Sequence, residues 1–361
     1  MQAARMHSYN KPLVVEDLPQ PSKKLVGDRV LVRVGGCGVC RTDAQLIDGY
    51  FREYNPTMKL PITPGHESAG WVEEIGSTVP EGIIEKGDLV AVFGAWGCGV
   101  CPYCKRGDEQ ICPYGTWAGF GSEGGYSEYI TVPSYRFLIK VDKKYNLKAR
   151  DLAALTDAGV TPYRAIKKAR HLLGPGKTIA IFGMGGLGSY AIQYAKILSA
   201  ESSVLAFSRS EEKLDIARQE GADQAISVKG KELDKIRNEI NQATGRKEVD
   251  VVIDLTGTEE SFQTETSILA TGGMIVCVGL IGTQFKTTLF PLVAREYEVH
   301  GSFWGNYNDL REVVELAKKG LIKHHIEKFH LSEANDAIDR LREGKVLGRA
   351  VLIPETVKEA A

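Results

Sequence analysis

The hydrophobic pattern changes character near residue 160. Before that point the apolar runs are short and alternate with polar positions, at residues 30–34, 70–75, 88–93 and 125–132, with Gly, Pro, Asn and Asp between them. Period-two alternation bounded by such breakers predicts a compact β-rich unit with long loops. Beyond residue 160, apolar runs alternate with helical periods: strands are predicted at 178–182, 203–207, 249–255 and 274–280, and helices at 187–198 and 211–220. This alternation predicts an α/β unit, a parallel sheet with helices on both faces. After about residue 297 the pattern drifts again, to a strand-like 298–303, amphipathic helices at 310–319 and 333–342, and a last strand at 349–353. The tail is read as returning to the first unit, which divides the chain into 1–160 with 297–361, and 161–296.

A chain of 361 residues exceeds what one core usually supports, so composition agrees with two domains. The net charge of -1 leaves no basic excess to condense onto phosphate backbones, which argues against a nucleic-acid partner and against a zinc-ribbon nucleic-acid binder. Residues 1–17 carry no apolar h-region and no segment has the apolar length a bilayer requires; the expectation is a cytoplasmic protein with no membrane partner.

Seven cysteines is an odd number, and four are packed too tightly for an extracellular disulfide framework. Gaps of two, two and seven residues let Cys98, Cys101, Cys104 and Cys112 converge on one ion. Zn²⁺ takes four thiolates in a closed tetrahedron, so such a site is structural and pins the loop at 94–114. An iron–sulfur centre is the alternative that metal analysis separates. Cys37 to Cys40 also has the spacing of a thioredoxin-like pair, but outside a βαβ context. The turn Gly183-Met184-Gly185-Gly186-Leu187-Gly188 follows the strand predicted at 178–182 and opens an apolar helix. There a backbone can approach a pyrophosphate at the helix N-terminus.

Taken together, Gly38-Val39-Cys40-Arg41-Thr42-Asp43, Pro64-Gly65-His66-Glu67, the four cysteines, Gly124-Gly125-Tyr126-Ser127-Glu128-Tyr129, the glycine turn and the closing Gly348-Arg349-Ala350 occur in one order. The chain thereby resembles the zinc-containing medium-chain alcohol dehydrogenase family over nearly its whole length. The resemblance implies an α/β fold of two parts, a GroES-like β-rich catalytic domain and a Rossmann doubly wound domain. It implies two Zn²⁺ per chain, a nicotinamide cofactor and a homo-oligomer, a dimer or tetramer formed partly through sheet edges of the cofactor domain. Residue by residue, Cys40 and His66 match the first two ligands of a catalytic zinc, and Glu67 the acid beside it that can bind transiently. Asp43 matches the carboxylate that holds the ligand imidazole, fixing its tautomer. Thr42 matches the hydroxyl that takes the alcohol proton, Arg41 and Arg349 match bases at the cofactor pyrophosphate, and Thr161 matches a residue behind the nicotinamide.

Two departures matter. Where the family most often has a third, cysteine ligand, this chain has Asp157, a carboxylate that leaves the ligand charge unchanged and hardens the site; its plainer reading is a helix cap. Where many members place a relay histidine stands Gln45, which cannot titrate near neutrality, so the relay must end in water or another group.

Cofactor choice rests on the end of the next strand. An NAD site places an acid about twenty residues past the fingerprint; here Ser208 stands instead, with Arg209 beside it to clamp a 2′-phosphate and Lys213 adding charge. NADP(H) is therefore expected over NAD(H). His324 and His325 are read as surface residues and Cys277 as a small core side chain, while Trp96, Trp117, Tyr50 and Phe51 are candidates for the substrate cleft. The expected activity is hydride transfer between NADP(H) and a small alcohol or aldehyde. The alternatives are a semialdehyde reductase (succinate semialdehyde, for example), a sugar or polyol dehydrogenase, and a catalytically inactive zinc-bearing binding module.

Overall fold

In the computed structural model, which describes residues 1–22, 24–55 and 58–357, the chain divides into two compact units. One comprises Met1–Val160 and the chain from Gly305 onward; the other is Thr161–Trp304.

The first unit is built on a mixed seven-stranded sheet. Its central strand, Val30–Gly38, pairs antiparallel with Glu67–Ile75 along its whole length. On its other side the first half pairs with Tyr129–Val132 and the last residues with Arg349–Ile353. Two register shifts, between Leu31 and Val32 and between Val34 and Gly36, divide it; bulges of this kind re-aim a strand. Glycine is required near its end. A Cβ on Gly35 would press on Trp71 and Ala149, and one on Gly38 would overlap the Glu67 carboxylate. That crowding carries the strand to residue 38, past the 34 at which the apolar alternation stops. The tail helices, Tyr307–Lys318 and Ala334–Arg342, belong to this unit, the first opened by an Asn306–Asp309 capping box.

The second unit is a six-stranded parallel sheet: β1 (Thr178–Phe182), β2 (Ser203–Ser208), β3 (Gln224–Ser227), β4 (Val249–Asp254), β5 (Leu269–Cys277) and β6 (Glu298–Gly301), in spatial order β3-β2-β1-β4-β5-β6. This is a doubly wound order, whose crossover between β1 and β4 leaves a crevice at their carboxyl ends. Helices Gly186–Leu198, Glu211–Gln219, Leu233–Thr244 and Glu259–Ile268 connect the strands. Phe182, Phe207, Val252, Phe262 and Ile275 meet in one core. The return to the first unit comes at Gly305 rather than 297, because Glu298–Gly301 hydrogen-bonds to β5 as the sixth parallel strand. A strand-like run of six residues read from sequence carries no label for the sheet it joins.

Candidate active site

Four elements of the first unit converge on one point. Cys40 N-caps the helix Arg41–Ile47, His66 and Glu67 lie at the start of a sheet strand, Asp157 sits in the π-helical turn Leu155–Gly159, and Arg349 begins the last strand. One donor atom from each of Cys40, His66, Glu67 and Asp157 lies within 4.8 Å of the other three, and all four residues are buried. Cys40 Sγ is 3.5 Å from Asp157 Oδ2 and 3.4 Å from the Thr42 hydroxyl. A π-turn inside a helix is a common way to present a functional side chain; here it turns Asp157 inward instead of leaving it as a cap.

The orientation of His66 is fixed from behind. Its Nδ1 lies 3.2 Å from Asp43 Oδ1, while Nε2 faces Asp157 Oδ2 at 3.7 Å and Glu67 Oε1 at 3.8 Å. Asp43 is itself held: its Oδ2 accepts from the Cys40 backbone N–H and from the Tyr126 hydroxyl, both at 2.8 Å. Burial alone disfavours the imidazolium, yet the Asp43 charge and the hydrogen bonds to Asp157, Asp43 and Cys40 lift the His66 pKa well above its usual value. The surrounding anions thus call for positive charge at this point, and a divalent cation answers that call with His66 neutral. Thiolate, imidazole and carboxylate are donors zinc accepts.

Arg349, expected at a cofactor pyrophosphate, is buried among these acids. Its Nε donates to Glu67 Oε2 at 3.0 Å, and its Nη2 reaches both Asp157 Oδ2 at 3.3 Å and Glu67 Oε1. Arg41 is half-buried and donates to the Leu341 carbonyl at 3.4 Å.

An aromatic series runs outward from the imidazole. The Phe120 ring packs edge-on to His66 at 5.9 Å, with Phe51 at 5.4 Å and Trp117 at 6.0 Å from Phe120, and Tyr50 4.9 Å from Phe51. Trp96 is outside this series, buried with its indole N–H on the Phe93 carbonyl. Sequence reading passed over Phe120 and the clamp by Tyr126, since a lone aromatic carries no sign of what it packs against. His324 and His325 are half-buried, not surface residues, and burial lowers the His324 pKa. They adjoin the last strand, where the Arg349 N–H donates to the His325 carbonyl.

The other cysteines form a separate cluster, with Sγ separations of 3.5 Å (Cys101–Cys104), 3.7 Å (Cys101–Cys112) and 4.0 Å (Cys98–Cys104). Four sulfurs about 2.3 Å from one zinc would stand about 3.8 Å apart, so the spacing fits a single ion; an iron–sulfur cluster would interpose its own atoms and spread them. The backbone N–H groups of Val100 and Cys101 pull Cys98 down to about 6, while burial pushes Cys104 up to about 12. Ionising all four together requires a cation.

In the second unit, the glycine turn opens the Gly186–Leu198 helix with Gly185 as a cap that has no side-chain bond; the Gly188 N–H bonds back to the Gly185 carbonyl, and a helix start of this kind offers its other N–H groups to a ligand. Gly183 takes a φ of 98° and packs on Thr256, and a Cβ on Gly188 would overlap the Gly183 carbonyl, while Gly185 faces open space. Ser208 ends β2, Arg209 beside it is exposed, Lys213 is half-buried on the next helix, and Thr161 is buried. Cys277, half-buried at the end of β5, packs against the core of this unit.

Residues 27–143 match the family of the alcohol dehydrogenase GroES-like domain, and residues 186–319 that of the zinc-binding dehydrogenases. An NAD-dependent alcohol dehydrogenase of Sulfurisphaera tokodaii is 39% identical over 98% of this chain and its own full length. A D-arabinose 1-dehydrogenase (NADP(+)) of Saccharolobus solfataricus is 36% identical over 98% of this chain and 97% of its own. The crystal structure of the Aeropyrum pernix alcohol dehydrogenase superposes with a TM-score of 0.90 at 36% identity, covering 98% of this chain and 100% of that one. With both parts of the fold and both cysteine-bearing sites accounted for, the chain belongs to the zinc-containing medium-chain alcohol dehydrogenase family.

Proposed function

We propose that the chain reduces small aldehydes or ketones with NADPH, and runs in reverse as an alcohol dehydrogenase. The convergence of Cys40, His66, Glu67 and Asp157 on one point carries this reading. Cys40, His66 and Asp157 would hold the catalytic zinc with Glu67 as a transient ligand, and Cys98, Cys101, Cys104 and Cys112 would hold the structural one. When bound in the first site, zinc supplies Lewis acidity that polarises a carbonyl and eases loss of a hydroxyl proton. Asp43 keeps His66 Nδ1 protonated and its Nε2 lone pair directed inward. Thr42, beside Cys40, carries the substrate proton. Gln45 cannot titrate, so the proton passes on to water or to another group. Phe120, Phe51 and Trp117 shed water around the reacting carbon.

Preference for NADP(H) is supported by Ser208 in place of an acid and by the exposed Arg209 at the end of β2. Thr161, Arg41 and Lys213 contribute to cofactor binding, with the turn Gly183, Gly185, Gly186, Leu187 and Gly188 at the pyrophosphate. Cofactor preference favours carbonyl reduction as the working direction. Assembly into a dimer or tetramer is supported by the edge strand β6, where Val299 is exposed, with Leu289, Phe290, Val293 and Phe303 exposed nearby in the chain. An aldose is the second reading, favoured by the D-arabinose 1-dehydrogenase relative. The test is kcat/KM for aldehydes, ketones and aldoses with each cofactor: higher values with NADPH and an unhydroxylated aldehyde are expected, and a clear NADH preference overturns the cofactor assignment.

A further inference from the structure

A second buried acidic pair lies in the dinucleotide-binding unit. Asp254 ends β4, one side of the crevice between β1 and β4, and Glu265 lies on the helix Glu259–Ile268 that follows. Both are buried, Asp254 at 1% and Glu265 at 0% exposure. Asp254 Oδ1 organises the turn after β4, accepting from the Thr256 N–H at 2.8 Å, the Thr256 hydroxyl at 2.6 Å and the Gly257 N–H at 2.8 Å. The turn is wedged between neighbours. Leu255 N–H donates to Phe182 of β1, the N–H groups of Val278 and Gly279 donate to the Asp254 carbonyl, and Gly183 of the fingerprint packs on Thr256. A Cβ on Gly257 would overlap the Gly279 carbonyl. Displacing Asp254 therefore displaces the wall beside the glycine turn.

Glu265 faces Asp254, neither of its buried oxygens makes a well-formed hydrogen bond, and the Ser261 hydroxyl one turn back is the near donor. A second ionised carboxylate buried beside the Asp254 charge is repelled by it, whereas one proton between the two groups converts the repulsion into a charge-assisted hydrogen bond. We propose that Glu265 is a positioning residue of the dinucleotide site, a neutral carboxylic acid whose O–H donates to Asp254 and holds the Thr256–Gly257 turn against Gly183. Burial pushes the Glu265 carboxyl well above the usual range, the Asp254 charge pushes further, and Ser261, one turn back, opposes them weakly. Cys277, the third titratable group here, is pushed up to about 12, chiefly by burial and then by the Asp254 charge, and remains a neutral thiol.

The proposal rests on the dinucleotide-binding reading of this unit, and its test needs no turnover. NADPH and NADH dissociation constants are measured for the zinc-loaded full chain and for Glu265→Gln and Glu265→Leu, with infrared difference spectra between wild type and Glu265→Gln at neutral pH. The amide of Glu265→Gln keeps a donor, so its affinity stays at wild-type strength, while Glu265→Leu binds both cofactors about tenfold more weakly, the scale of one lost hydrogen bond to a charge. The wild type shows a protonated-carboxyl band that Glu265→Gln lacks. Absence of that band, Glu265→Gln binding as weakly as Glu265→Leu, or Glu265→Leu binding like wild type each overturns the proposal. A chain that binds dinucleotide normally but reduces no aldehyde overturns the proposed function and leaves this inference standing.

Discussion

Arg349 faces two carboxylates that the proposed zinc site also claims, and the consequences can be measured. Buried at 4% exposure, it bonds Glu67 and Asp157 at once. Replacing it with Met leaves two buried anions with only the metal to neutralise them, a situation that typically costs about 3–5 kcal/mol. Arg349→Met is expected to lower Tm far more after chelation than in the zinc-loaded protein, and equal losses in both states would show that Arg349 and the metal site are not coupled. Asp43 acts on the metal through His66, so Asp43→Asn is expected to weaken zinc retention about 10–100-fold with the fold intact, followed by metal content against a graded chelator. Tyr126→Phe removes only one of the two donors to Asp43 Oδ2 and is expected to have the smaller effect on the same measurement. At the cofactor, Arg209→Ala is expected to raise KM for NADPH with little change for NADH; a parallel change in both would make Arg209 an ordinary solvated side chain.

Among the elements, β1 and β4 are stapled at their starts by one acid. Asp250 accepts from the Thr178 N–H at 2.9 Å, Lys177 at 3.0 Å and Arg246 at 2.8 Å. Burial alone would raise its pKa, but these three donors together hold it below the usual carboxylate value. A depressed folded-state pKa means the stabilisation is present above the unfolded value near 3.9 and is lost as pH falls through the folded one. Asp250→Asn is expected to destabilise by about 1.5–3 kcal/mol at neutral pH, the gap to wild type narrowing in acid; denaturant melts across pH follow it, and a pH-independent gap would contradict the ionic account. The apolar runs of this unit were legible because strands buried on both faces read as continuous hydrophobic stretches: β1 spans the predicted 178–182, and β4 the predicted 249–255 less one residue. Less was legible where glycine carries the backbone, as in Val30–Gly38, or where a strand is short and polar, as in Gln224–Ser227. Among the candidate metal donors, the spacing and residue type of Cys98 to Cys112 were readable, and the structure brings these sulfurs together. The turn of Arg349 toward Glu67 was not, because the two residues are separated by most of the chain and no local pattern encodes where a guanidinium points.

Across the whole molecule, the two chemistries are carried by different units. Every residue of both ligand clusters, and the Asp43, Tyr126 and Arg349 shell around one of them, belongs to the first unit. The glycine turn, Ser208, Arg209 and the Asp254 turn belong to the second. No described helix is long and apolar enough to cross a membrane, so the apolar surface around β6 is not part of a helical span. A metal held by residues of one unit stabilises that unit by mass action, and a dinucleotide does the same for the other. Stripping both zincs is therefore expected to abolish aldehyde reduction and to open the loop around Cys98 to Cys112 to proteolysis, while NADPH affinity is retained. Zinc added back restores activity first where the catalytic donors reload, and Cys104→Ser separates the sites: the loop stays protease-sensitive while the Cys40 site still binds one equivalent. Calorimetry with cofactor titrated into stripped protein decides the matter, since loss of NADPH binding together with the metal would mean that the second unit cannot hold its ligand without the ions of the first.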